Sequence, residues 1–497
     1  MSYNFKNSNT MKSKNYFLKI ATALLLLFAI NSNANNVIIT GTSVSGSNIT
    51  FNISWDNSWN ANVAPANWDG VWVFVKYQDC NTRLWAHAGL SSLAADHTTV
   101  SPLQVDPVTD GRGVFLRRSS LGGGNIASTS VTLKMTIPAG TYNYKVFGIE
   151  MVNAPQGTYE LGDGFSTATY NSITVNATSQ SAGLTAAIIG GTSASVPATF
   201  PMGYNSLYCM KYEISQEQYV DFLNSLTYDQ QKSRVVNDPI SAPGTHAFYA
   251  SAGTQYRNGI IIATSGNNAA IPAVFACDAT VGVENNIDDG QNVACNFLSW
   301  ADLTAYLDWA ALRPMTEMEY EKISRGTAVR VAGEYPWGTA TIAQYYSTLA
   351  GTNFFKPNEL FNTVMNGACM YGLNALASGP AYGPMRVGVF ATGSSGRASA
   401  GAAYYGAMEM GGNLWEKVVI TANPTGTAYT GALGDGTLTV FGDANQATWP
   451  APATAIGSGF RGGDYVNAAT YVRTSDRSSV TTVSTTRDVN AGGRGVR

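Results

Sequence analysis

Arg313-Pro314-Met315-Thr316-Glu317-Met318-Glu319-Tyr320-Glu321, running on through Ile323 to Arg325, is the stretch whose reading decides the fold. Thr316 at an N-cap and Glu319 three residues later form a capping box, in which each residue's side chain satisfies the other's free amide. Tyr320 and Ile323 then fall on the inward face of a helix. Arg313, Glu317, Glu321 and Arg325 recur at four-residue steps, which predicts pairing along the helix surface. The same logic opens two helices upstream. Ser299 with Asp302 turns Leu303, Tyr306, Leu307 and Ala310 inward, and Ser215 with Gln218 does so for Tyr219, Phe222, Leu223 and Leu226. Beyond residue 330 regular structure is scarce, and Gly and aromatic residues alternate with polar loops. Large rings would fill the core of a fold so poor in regular elements.

The N-terminal part reads as strands instead. Segments 37–40, 49–55, 71–77, 131–137 and 142–149 are rich in β-branched and aromatic residues, with Gly/Ser/Asn/Pro clusters between them. In Ile49-Thr50-Phe51-Asn52-Ile53-Ser54-Trp55 every second residue is apolar, the period of a strand with one wet face. An all-β immunoglobulin-like sandwich over residues 35–145 follows. From about residue 147 the character changes. Residues 155–162 read as a short strand with turn chemistry, and the Ser/Ala/Gly/Thr-rich stretch 166–199 as a long surface excursion. There is no internal repeat.

Composition bounds the setting. The chain has 497 residues, enough for two or three domains, a net charge of -3 and only 12% charged residues. Gly, Ser, Thr and Asn replace the usual charged surface, as in extracellular β-rich proteins. No Lys/Arg stripe is present, so nucleic acid is excluded as a partner class. Lys12, Lys14 and Lys19 precede an apolar run from Ile20 to Ile30, and Ser32-Asn33-Ala34 supplies small residues for cleavage. Residues 1–34 are therefore expected to be a signal peptide, and the chain to be secreted or held at the cell surface. No apolar run is long enough to span a membrane. Cys80, Cys209, Cys277, Cys295 and Cys369 are odd in number and lack metal-ligand spacing, which favours buried, inert thiols.

Blocks in order across residues 146–497 carry a resemblance. Met210-Lys211-Tyr212-Glu213-Ile214-Ser215 opens one helix. Asn296-Phe297-Leu298-Ser299-Trp300 leads into Arg313–Glu321, with Tyr335-Pro336-Trp337-Gly338 after it. Tyr405-Gly406-Ala407-Met408-Glu409-Met410-Gly411-Gly412-Asn413-Leu414-Trp415-Glu416 follows. Arg461-Gly462-Gly463-Asp464-Tyr465 and the closing Gly493-Arg494-Gly495-Val496-Arg497 complete the series. Together they resemble the formylglycine-generating-enzyme (sulfatase-modifying factor) superfamily. The resemblance implies an irregular α+β fold with a C-type-lectin-like core, preceded here by the all-β sandwich. It also implies copper held by two cysteines just after the Arg-Gly-Gly block, and Asn467 and Val472 stand at those positions. Neither is a thiolate, the ligand that soft copper needs, so copper and catalysis are not expected. Asp464 replaces the family's serine. The iron chemistry of ergothioneine-pathway sulfoxide synthases is no better served. His87, His97 and His246 lack the spacing that would aim two at one metal, and the N-terminal part is β.

The resemblance further implies a structural calcium in the loop Gly411, Gly412, Leu414 and Glu416, whose carbonyl and carboxylate oxygens suit a hard cation. Glu416 could equally bond amides of its own loop. The C-terminal stretch corresponds to the family's substrate groove. It also resembles the variable segments of lectin-fold proteins diversified by retroelements. Asp464, Tyr465, Asn467, Tyr471, Arg473, Ser475 and Arg477 are the candidate ligand-binding residues, since Tyr gives rigid contact area and Ser and Asn adaptable hydrogen bonds. The expected function is a secreted, non-catalytic recognition protein binding an extracellular protein or glycan. A divergent formylglycine-type oxidoreductase acting on sulfatases or other proteins, and a structural component of a cell-surface assembly, are the alternatives.

Overall fold

The alternation in residues 49–55 buries Ile49, Phe51, Ile53 and Trp55 and leaves the residues between them on the outer side. The computed structural model describes residues 36–192, 194–251, 253–267, 271–344, 353–361, 365–373 and 382–497. In it Asn48–Asn60 pairs antiparallel with Ile38–Ser45 on one side and Gly122–Thr136 on the other. Their inner face packs on Val71, Val73 and Val75 of Asp69–Asp79 and on Leu116, closing the core of a two-sheet β region.

Asp69–Asp79 differs from its neighbours in having no wet face over its first eight residues. While its valines face the first sheet, Trp72 and Phe74 point the opposite way, into a second core with Tyr306, Trp309 and Leu312. An unbroken apolar run is what a strand covered on both sides requires. The second sheet continues outward from it. Tyr142–Ala154 pairs with Asp69–Asp79 from Tyr142↔Asp79 to Val152↔Asp69, and with Leu207–Met210 from Met151↔Met210 to Ala154↔Leu207. Leu207–Met210 in turn pairs with Gly495–Val496, which pairs with Arg313–Pro314. The expected boundary at residues 145/146 falls inside the Tyr142–Ala154 strand, so one sheet serves both regions.

Polar contacts tie the same seam. Trp72 Nε1 donates to the Ala310 carbonyl (2.9 Å), Lys76 Nζ to the Gly436 carbonyl (2.7 Å), and Asn67 Nδ2 to the carbonyls of Asn153 and Tyr405 (2.9 Å each). Arg497 reaches Asp110 and lies 4.1 Å from the Trp72 ring centroid. The three helices form where their capping boxes place them: Gln216–Leu223, Trp300–Trp309 and Glu317–Arg325, capped by Ser215, Ser299 and Thr316.

The stretch 166–199 corrects the reading of a surface excursion. Ile173–Val175 pairs with Tyr159–Leu161, short helices Ala177–Ala182 and Ala186–Ile189 follow, and Tyr170, Val175, Leu184, Ile189 and Val196 are buried. Its apolar residues stand singly among small polar ones, too sparse for a periodic pattern yet sufficient to anchor the segment. All five thiols are free. Cys80 is half-buried and the rest buried, and burial pushes Cys209 up to about 12. No helix among the described residues is long and apolar enough to cross a membrane. The segment on which the signal-peptide reading rests lies outside the described residues.

Candidate functional site

Glu416–Val419 and Ser458–Arg461 form an antiparallel ribbon in which Glu416 lies opposite Arg461 and Lys417 opposite Phe460. Alternation sends Glu416 and Arg461 to one face and Lys417 and Phe460 to the other, on the side of Trp415. On that second face Trp415 packs against Phe460 (ring centroids 5.8 Å) and, edge-on, against Tyr471 (5.7 Å, 81°). These rings, with Asn467, Ser479, Thr482, Asp488 and Asn490, line a groove of about 270 Å³. Lys417 lies beneath it, buried, with its ammonium 4.2 Å from the Phe460 ring centroid. Burial depresses that ammonium to about 8, against the pull of Asp488 and Asp302. Sequence reasoning missed Lys417. Its one signal was its place two residues after Trp415, on the same side of a strand.

Of the seven candidate binding residues, the structure brings Asn467 and Tyr471 to the groove, both half-buried. The reading of Asp464, Tyr465, Ser475 and Arg477 as ligand contacts is corrected, because all of them are buried and engaged within the protein. Asp464 organises the loop that carries Asn467. Its carboxylate accepts from the amides of Val466 (2.6 Å) and Asn467 (2.8 Å), from Asn467 Nδ2 (2.6 Å) and from Asn490 Nδ2. Burial raises its pKa, and these bonds oppose the rise. Tyr465 donates to the Val489 carbonyl (3.3 Å). Arg473 turns away from the groove, its guanidinium 5.0 Å from the Phe165 ring centroid.

Ser475 and Arg477 belong to a buried lattice around residues 313–325, in which the expected four-residue pairing forms between Glu321 and Arg325 (3.1 Å) but inside the protein rather than on a helix surface. Arg477 grips Glu317 through Nε (2.6 Å) and Nη2 (3.0 Å), and Arg461 bridges Glu317 (3.2 Å) and Glu321 (2.9 Å). Ser475 donates to Glu321 (2.9 Å) and accepts from Arg325 (2.7 Å), while Arg313 takes Glu319 with both terminal nitrogens. Burial alone would raise the Glu317 carboxyl, but Arg477 and Arg461 hold it down at about 2. Buried charges persist only when paired; here Glu321 keeps its helix neighbour Arg325, Glu319 is held by Arg313, and arginines from the last residues complete the pairing of Glu317 and Glu321.

The loop behind the ribbon is set by a backbone that only Gly412 can follow. Its φ is +76°, and a Cβ there would stand 2.4 Å from both Cys369 Sγ and the Met370 carbonyl oxygen. Asn413, also left-handed, and the Leu414 amide are held by the buried Glu213 carboxylate. Glu416 bonds Arg494 through Oε1. Its Oε2 is buried and has no hydrogen-bond partner among the described residues. A buried carboxylate oxygen without a partner is a group that a hard cation could satisfy. Copper is different. Asn467 and Val472 offer no thiolate, and Val472 is sealed in a cluster with Tyr335, Trp337 and Cys369. The Cys369 thiol donates to the Gly411 carbonyl (3.2 Å), and burial raises its pKa well above the ordinary thiol value.

Residues 145–497 match the profile of the family described as sulfatase-modifying factor enzyme 1-like domain. The chain belongs to this family. No curated protein matches it. Among solved structures, PvdO from Pseudomonas aeruginosa aligns at 15% identity and a TM-score of 0.33, covering 70% of this chain and 94% of that one. Treponema denticola variable protein 1 aligns at 14% identity and a TM-score of 0.31, covering 70% and 95%. At that distance neither adds to what the family match shows. Within the sulfatase-modifying-factor domain, then, the groove beside Trp415 stands where the resemblance implies substrate contact. Its walls are aromatic and amide rather than thiol.

Proposed function

We propose that this chain is an exported recognition protein, without formylglycine-generating activity, that binds an extracellular protein or glycan in the groove between Trp415, Phe460 and Tyr471. The carrying observation is the composition of that groove: a rigid aromatic floor with Asn467, Ser479, Thr482 and Asn490 around it. Rings supply contact area at little entropic cost, and amides and hydroxyls supply adaptable hydrogen bonds. Export is supported by the basic, apolar and small-residue order of residues 12–34 and by the low charge fraction of 12%.

Screening the mature protein against glycan and surface-protein libraries, then repeating the best hit with Tyr471→Ala and Asn467→Ala, tests this reading. Loss of the hit with unchanged thermal unfolding supports the groove. Unchanged binding assigns the ligand elsewhere. A stoichiometric thiolate-to-copper absorption on anaerobic titration would instead revive the oxidase alternative. We also propose a structural calcium on Gly411, Gly412, Leu414 and Glu416, supported by the orphaned Glu416 Oε2. Calcium should raise the unfolding temperature over that in chelator, and Glu416→Gln should abolish the difference.

A further inference from the structure

A second cavity, of about 410 Å³, lies where residues 57–67 of the N-terminal β region meet residues 391–408 of the sulfatase-modifying-factor domain. That volume suits a small-molecule site, and such sites favour seams of this kind. Two half-buried rings stand in its wall, each seated on a glycine. Trp59 packs against Gly406, where an added Cβ would come within 2.9 Å of the indole, and Tyr404 packs against Gly326, where it would come within 2.0 Å. The indole is further pinned by its Nε1 donating to Asn67 Oδ1 (3.2 Å). Both rings are thus held in place before any ligand arrives, so stacking on them orders nothing new.

The polar groups of the cavity are unevenly matched. No carboxylate among the described residues lines it. Lys211, whose ammonium lies 5.0 Å from the Trp59 ring centroid, is neutralised by Glu150 (2.9 Å) and Asp69 (3.6 Å). Arg397 has no such partner. Its Nη2 donates to the carbonyls of Ser324 (3.1 Å) and Pro336 (2.6 Å), and its Nε makes no hydrogen bond among the described residues. No ion pair to it occurs among those residues, although the Glu334 carboxylate acts on it from beyond ion-pairing distance, and its guanidinium sits 5.1 Å from the Tyr404 ring centroid. Tyr405 also lines the cavity. It is 2% exposed, and its hydroxyl has no hydrogen bond among the described residues.

We propose that this cavity binds an acidic sugar, a pyranose whose ring packs on Trp59 and Tyr404 and whose carboxylate meets Arg397, which makes no ion pair of its own among the described residues. Fixed rings complement the C–H face of a sugar, and the Tyr405 hydroxyl offers a hydrogen bond to a sugar hydroxyl. A guanidinium with no carboxylate in direct contact discriminates a carboxylate from a neutral group. The site is separate from the groove at Trp415 and does not depend on that groove binding anything.

Calorimetric titration of the whole mature chain with galacturonate and its disaccharide, against galactose and lactose, tests it. The acidic sugars should bind at least tenfold more tightly than the neutral ones. Trp59→Ala should weaken them tenfold or more, Trp59→Phe much less, and Arg397→Gln should erase the preference for acid. Tyr471→Ala should leave the binding unchanged. Absence of acidic-sugar binding to the folded wild type, equal binding of acidic and neutral sugars, or binding indifferent to Trp59→Ala would each overturn the proposal. Circular dichroism identifies any variant that has merely unfolded, and Trp59→Phe then serves as the folded comparison.

Discussion

The two faces of the ribbon formed by Glu416–Val419 and Ser458–Arg461 solve opposite problems with similar residues. On one face Arg461 and Arg477 lock Glu317 and Glu321, and Arg494 locks Glu416, with side chains at most 1% exposed. On the other face Trp415, Phe460 and Tyr471 leave a groove open, and the lysine beneath it has no carboxylate partner within ion-pairing distance among the described residues. The contrast changes the meaning of a low charge content. Only 12% of the chain is charged, and much of that charge in residues 313–334 and 461–494 is inside, holding a fold that has little regular structure to hold itself. Buried ion pairs of this kind add little net stability over an apolar core, but they are costly to break singly.

The sharpest way to break the comparison is therefore Arg477→Met. It strips Glu317 of its two-pronged partner and should cost about 3–5 kcal/mol, read as a lower urea midpoint with an unchanged slope. A loss as small as that of a groove variant would mean that the lattice is not structural. Acid probes the same face without mutation. The folded Glu317 pKa lies at about 2, against an ordinary 4.5, so its contribution is fully present above about 4.5 and lost as pH falls toward 2. That gap corresponds to roughly 3 kcal/mol. Urea unfolding in steps from pH 5 to pH 2 should show the decline, and Glu317→Gln should flatten it. Next in size is Gly412→Ala, which combines a left-handed backbone with contact on Met370 and Cys369. It should cost roughly 2 kcal/mol, visible as a lower melting temperature.

These contrasts also mark what was legible in the chain. Helix starts were readable because a capping box is local: Thr316 and Glu319 need only each other. The shared sheet was less so. Val71-Trp72-Val73-Phe74-Val75 announces two buried faces, but nothing local says that the second face belongs to residues 300–312. Within the site, Asp464 and Asn467 look alike as small polar residues in one loop. One is a buried organiser and the other stands in the groove wall, a distinction made by Asn490 and by the ribbon. Ser475 and Arg477 likewise resembled exposed recognition residues until Glu317 and Glu321 were placed beside them. The seam cavity was out of reach, because its two rings lie more than three hundred positions apart in sequence.

The smallest expected effect is the most discriminating. Tyr471 is half-buried at the groove mouth, and its main ring contact is the edge-on one with Trp415. Truncating it to Ala removes that contact but strands no charge and leaves no sealed cavity, so the stability cost should stay within about 1 kcal/mol. Arg477→Met, only a few residues away, should cost several times more. If Tyr471 were instead part of the core, its truncation would behave like a buried aromatic and cost about 3–5 kcal/mol. Paired urea titrations of the two variants thus decide whether the groove face is free to vary while the lattice face is not. That division is what a scaffold presenting a recognition surface requires.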